Sequence, residues 1–130
     1  MMDTHRVIRS WRESAEKDWE VAQSLFKLKH YAYSLFFCHL VVEKLLKALV
    51  VQKTGEQAPT IHDLIKLVKK ASLKPTQAQR EQLEVITTFN IKARYDDVKQ
   101  SFYKQATRDF SKEYMKITKE ICTWLKGNLQ

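Results

Sequence analysis

Three places in the chain carry residue types suited to acid–base or phosphate chemistry. His39, Glu43 and Lys47 recur every four residues, which puts an imidazole, a carboxylate and an ammonium on one edge of a helix. Such an edge can hold a phosphate through Lys47 while His39 and Glu43 exchange protons. The same spacing also arises by chance, and the edge reads equally as a ligand-lined or dimer-facing surface. His62-Asp63 is the second place. It is expected in the first turn of a third helix, where Asp63 suits the positive helix end and capping alone explains it. Without a nucleophile signature, a His-Asp pair is weak evidence for hydrolysis. The third is Arg94-Tyr95-Asp96-Asp97. Arginine grips phosphate in a bidentate fashion, tyrosine stacks on a base, and a carboxylate holds a hydroxyl. The structural alternative is that Arg94 pairs with a carboxylate such as Glu43 and pins its segment to the fold.

The remaining charged groups read more plainly. Asp18 and Lys44 each fall on an apolar helix face, so each needs a partner or a wet cleft. Lys104, Arg108, Lys112 and Lys116 form a basic row, but Asp109, Glu113 and Glu120 dilute it, which favours a solvated face over a nucleic-acid contact. Gly55 and Gly127 are the only glycines, so there is no Gly-rich phosphate loop. No histidines or cysteines stand at metal-ligand spacing, and no metal or cofactor is expected; a nucleotide enters as a ligand.

Helices must position these groups. Two Gly and two Pro in 130 residues exclude a turn-rich β fold. Ile8, Trp11, Ala15, Trp19, Ala22 and Leu25 stripe one face of a first helix capped by Asp3 or Thr4. A second, from Tyr31 to Thr54, is apolar nearly all round and so belongs at the centre or in an interface, with Gly55 as its stop. Thr60 is expected to cap a short third helix through Ala71. Pro75-Thr76 starts a fourth that runs to about Phe89, and Asn90 to Ala106 reads as less regular. The last helix begins at Thr107 and buries Phe110, Tyr114, Ile117, Ile121 and Trp124. The expectation is all-α: one domain over residues 1–130, an antiparallel up-and-down bundle of four long helices plus one short helix.

Composition sets the outer limits. Hydrophobic residues make up 44%, enough for an ordered core. Cys38 and Cys122 lie in apolar stretches and read as buried thiols in a reducing cytoplasm. The longest apolar run, Tyr31 to Val42, is too short to span a bilayer, and no secretory signal opens the sequence. The net charge of +8 permits a polyanionic partner without establishing one.

Taken in order, these segments resemble the HEPN domain family. Trp11 through Asp18 to Leu25 is similar to its first helix, and Glu43-Lys44-Leu45-Leu46-Lys47-Ala48 to its Glu-Lys-x-x-Lys-Ala core. Ile61-His62-Asp63-Leu64 resembles the opening of the third helix. Ala93-Arg94-Tyr95-Asp96-Asp97 is similar to a segment of the prokaryotic, stand-alone branch, and Trp124-Leu125 to the end of the last helix. The resemblance covers about residues 8 to 126. It implies a homodimer formed around the second helix, with a nucleotide, RNA or a minimal nucleotidyltransferase as partner in a toxin–antitoxin-like system. Ribonucleases of the family carry arginine, four to six residues, then histidine. Here Arg94 is followed at those places by Lys99, Gln100 and Ser101. The departure argues for a noncatalytic binder with Glu43, Lys47, His62, Asp63, Arg94, Tyr95 and Asp96 at its ligand site. The alternative is a ribonuclease toxin with an altered site, using His39 or His62 as base and Arg94 on developing charge.

Overall fold

A computed structural model describes residues 2–130; the side chains of residues 96–99 lie outside the described residues. The described chain is entirely helical in its regular elements. In order these are α1 (Thr4–Lys27), α2 (Tyr31–Thr54), α3 (Leu64–Lys70), α4 (Gln77–Arg94), α5 (Asp96–Gln105) and α6 (Arg108–Asn128). Short polar side chains set most of the starts. The Asp3 carboxylate accepts from Arg6 N–H at 3.2 Å, and Thr107 Oγ1 accepts from Phe110 N–H at 3.2 Å. Thr76 and Gln79 exchange side-chain and backbone bonds at 3.1 and 2.9 Å, a reciprocal cap that starts α4. Gly55 ends α2 at φ 72°, where a Cβ would be strained. Lys29, at φ 66°, makes the tight turn between α1 and α2.

α2 is the hub. It packs against α1, α3, α4 and α6, and fifteen of its 24 residues are buried, which is why its apolar residues run nearly all round. Leu35, Val42, Leu45, Leu46 and Leu49 form the core with Leu64, Leu67, Leu83, Ile86, Ile121 and Leu125 from the surrounding helices. At the other end, Phe89 is fully buried among Phe102, Phe110 and Tyr114, with ring centroids 5.8, 6.1 and 5.5 Å away. Asp18 and Lys44 resolve as a structural pair: Lys44 Nζ lies 2.6 Å from Asp18 Oδ2 and donates to Ser14 Oγ at 2.7 Å. The thiol of Cys38 is in contact with Met115 Sδ, and burial pushes both cysteine pKa values up to about 12, so neither thiol is a nucleophile at neutral pH. No helix among the described residues is long and apolar enough to cross a membrane.

Three boundaries differ from the sequence expectation. α3 starts at Leu64 rather than Thr60, because Asp63 is the cap that accepts from Ile65 and Lys66 N–H at 3.0 and 3.3 Å. α4 continues past Phe89 to Arg94, since Asn90 is buried and its side-chain oxygen accepts from Arg94 Nε one turn on, at 2.6 Å. The segment expected to be irregular holds α5, docked by the fully buried Phe102. The bundle therefore has four long and two short helices.

Candidate functional site

α2 projects His39, Glu43 and Lys47 from one edge, as their four-residue spacing requires, and all three are buried. Burying a carboxylate demands partners, and Glu43 has them on both oxygens. Lys47 Nζ lies 3.1 Å from Oε2, and the ammonium also sits 5.4 Å from the centre of the Trp11 ring on α1. His62 Nδ1 meets Oε1 at 2.9 Å. An ionised carboxylate only accepts, so Nδ1 carries the proton and Nε2 is left as the free end of the ring. The His62 side chain is 49% exposed, which makes it the point where this buried network reaches solvent.

His39 works from beneath. It is wholly buried, and its Nε2 donates to the His62 backbone carbonyl at 2.9 Å, since a carbonyl can only accept. That bond ties the segment before α3 to α2. Nδ1 has no hydrogen-bond partner and faces Glu43 Oε1 at 3.7 Å. Burial lowers the His39 pKa from its ordinary 6.5; the His62 carbonyl and Glu43 oppose this, while the charges of His62 and Arg94 add to it. His39 is thus a positioning group, sealed from ligand in this conformation.

Arg94 closes the same side of the molecule from the end of α4. Its guanidinium is held by Asn90 and lies 5.7 Å from the centre of the Phe36 ring, on the α2 turn before His39. The alternative pairing of Arg94 with Glu43 is not formed; Lys47 and His62 occupy that carboxylate instead. Tyr95 is exposed at the junction of α4 and α5. The Asp96 side chain lies outside the described residues. Asp63 is engaged as the α3 cap.

The structure therefore brings His39, Glu43, Lys47 and His62 into one network, with Arg94 close enough to bias His39. Trp11, Asn90 and Phe36 also belong here, though none was a candidate by residue type. The four-residue step from Asn90 to Arg94 was a usable signal for the first turn-to-turn bond; Trp11 read only as core. Among the described residues, no group of three His, Cys, Asp or Glu side chains is set to hold a metal ion. Chemically, the arrangement offers a carboxylate-held imidazole whose Nε2 accepts a hydrogen bond when the ring is neutral and donates one to an anionic oxygen when it is protonated. The Arg94 guanidinium is close enough to act on His39 beneath it.

A family model described as HEPN domain matches residues 8–128. Among solved structures, the crystal structure of TT1696 from Thermus thermophilus superposes with a TM-score of 0.81. It is 22% identical, and the match covers 94% of this chain and 98% of that one, a likeness of fold. No curated protein matches the sequence.

Proposed function

The chain belongs to the HEPN domain family, and from that premise we propose that it is a homodimeric, noncatalytic module that binds a nucleotide or another phosphate-bearing ligand. The observation that carries this reading is the half-exposed His62 ring, fixed through Nδ1 by a buried and fully partnered Glu43. A ring held this way presents one nitrogen in a set direction at little further cost in side-chain entropy. Arg94 and the protonated ring of His62, which donates through Nε2–H while Nδ1–H stays on Glu43, are the ligand's phosphate contacts. Lys47, buried against Glu43 and Trp11, keeps the carboxylate in place. Tyr95 completes the ligand site at the α4–α5 junction, and Asp63 supports it by capping α3.

Dimerisation is supported by exposed rings and an aliphatic side chain on α2, α4, α5 and the α4–α5 junction, with Tyr33, Ile91, Tyr95 and Tyr103 all more than 40% exposed. A second copy covering them brings two such sites together. In this reading the protein acts in the cytoplasm of a prokaryote, with a minimal nucleotidyltransferase as its partner in a toxin–antitoxin-like system. The positive charge favours RNA as an alternative polyanion. Titration with nucleoside mono- and triphosphates tests the reading: saturable binding that weakens in His62→Ala upholds it, and no binding at millimolar ligand defeats it.

One observation favours a second reading, an RNA-cleaving toxin with an altered site. A carboxylate-oriented imidazole with a free Nε2 is also the arrangement of a general base. Incubation with cellular RNA discriminates, and cleavage that survives both Arg94→Ala and His62→Ala rules this assignment out.

A further inference from the structure

Trp11 has a second neighbourhood beyond Lys47. Its ring forms one wall of a groove of about 660 Å³ between the N-terminal turns of α1 and the loop that follows α2. That volume suits a small organic ligand. The groove is also chemically mixed. Val7 and Trp11 supply apolar surface, Ser10 a hydroxyl, Gln57 an amide that both donates and accepts, and Arg6 a positive charge. The Asp3 carboxylate at its edge is engaged in capping α1. A purely aliphatic guest leaves the amide and guanidinium without partners. A planar heteroaromatic ring with polar edges satisfies both the indole and the amide.

The groove is joined to the candidate phosphate site through a short run of contacts. From the Trp11 ring it is 5.4 Å to Lys47 Nζ, then 3.1 Å to Glu43 Oε2; from Oε1 of the same carboxylate it is 2.9 Å to His62 Nδ1. Lys47 and Glu43 are buried, so these contacts are no route for a ligand; they limit how far apart the Trp11 ring and His62 can lie, a separation within the span of a mono- or dinucleotide. The middle of the run, Lys47 and Glu43, lies on one edge of α2, while its ends, Trp11 and His62, belong to α1 and to the segment before α3.

We propose that this groove is a nucleobase subsite, in which a base stacks on Trp11 with its edge at Gln57 while the ligand's phosphate lies at His62. The proposal rests on the phosphate-binding reading and adds what the non-phosphate half of the ligand is. It also assigns Lys47 a further role: the ammonium beside Trp11 fixes the indole as a stacking platform.

The test uses AMP and ribose 5-phosphate, which share a phosphate and differ by the base. The indole N–H resonance of Trp11 is identified by its loss in Trp11→Leu, and the native protein is then titrated with each ligand. AMP is expected to bind about tenfold or more tighter than ribose 5-phosphate, as one stacked base contributes, and to shift that resonance saturably. Ser10→Leu, placed on an exposed position of the groove, should abolish the advantage of AMP. Equal affinities with an unmoved Trp11 resonance overturn the base subsite and leave the phosphate reading intact. A Trp11 shift by AMP that is unaffected by His62→Ala upholds the groove and overturns the phosphate site. If neither ligand binds, both fall.

Discussion

Glu43 and Lys44 are neighbours in sequence, yet they serve two opposite kinds of buried charge. Lys44 turns to α1, where Asp18 and Ser14 receive it, and the group ends there. Glu43 holds Lys47 one turn on along α2 and His62 in the segment before α3, and His62 carries the network to the surface. Both regions satisfy the demand that a charge taken from water find a partner. Only the second has an accessible end whose direction is set by the buried part. A buried charge is therefore no sign of function by itself; a buried charge that orients an exposed, titratable ring is.

Substitutions separate the two regions. Glu43→Ala strands the Lys47 ammonium and releases His62, and should destabilise the fold by about 3 to 5 kcal/mol in denaturant unfolding. A loss below about 1 kcal/mol would mean that the network is no more structural than a surface pair. The pH dependence comes next. Burial lowers the His39 pKa from 6.5, so the unfolded chain takes up that proton first. The contribution of His39 to stability is whole above pH 6.5 and declines below it. One proton sets a ceiling of about 1.4 kcal/mol per pH unit on that slope, and His39→Gln should flatten it. Asp18→Asn, in the pair that ends within the fold, should cost about 1 kcal/mol, because the Lys44 side chain is 22% exposed and can reach water. It should leave nucleotide affinity as it was; a loss of affinity would erase the contrast between the two regions. His62→Ala takes one of the two partners from the buried Glu43 carboxylate, so it should cost about 1 kcal/mol or somewhat more, less than Glu43→Ala, while weakening ligand binding. A large stability loss there would recast His62 as a structural group.

Much of this was legible in the residues. The period of α1 and α6, the all-round apolarity of α2 and its stop at Gly55 are local patterns, and the helices followed them. The edge formed by His39, Glu43 and Lys47 was legible for the same reason. What escaped depends on contacts between distant segments. The Asp63 cap starts α3 at Leu64, and the His62 carbonyl just before it is taken by His39 from α2, a bond that no local pattern announces. α5 is stabilised by Phe102 reaching Phe89, so its own polar sequence read as irregular. Within the site, the pairing of Glu43 with His62 joins residues nineteen apart, and the partner of Lys47 on α1 is an indole that read as core. Residue type nominated His62; only the fold supplied its carboxylate.

Calorimetric titration with ATP decides whether His62, held by Glu43, and Arg94 bind the phosphate of a ligand. The native protein, His62→Ala and Arg94→Ala are each titrated under the same conditions. Saturable binding to the native protein is expected, with a loss of about tenfold or more in each variant, the scale of one charge-assisted hydrogen bond. Equal affinity in all three proteins, or no heat at millimolar ATP, would contradict that assignment.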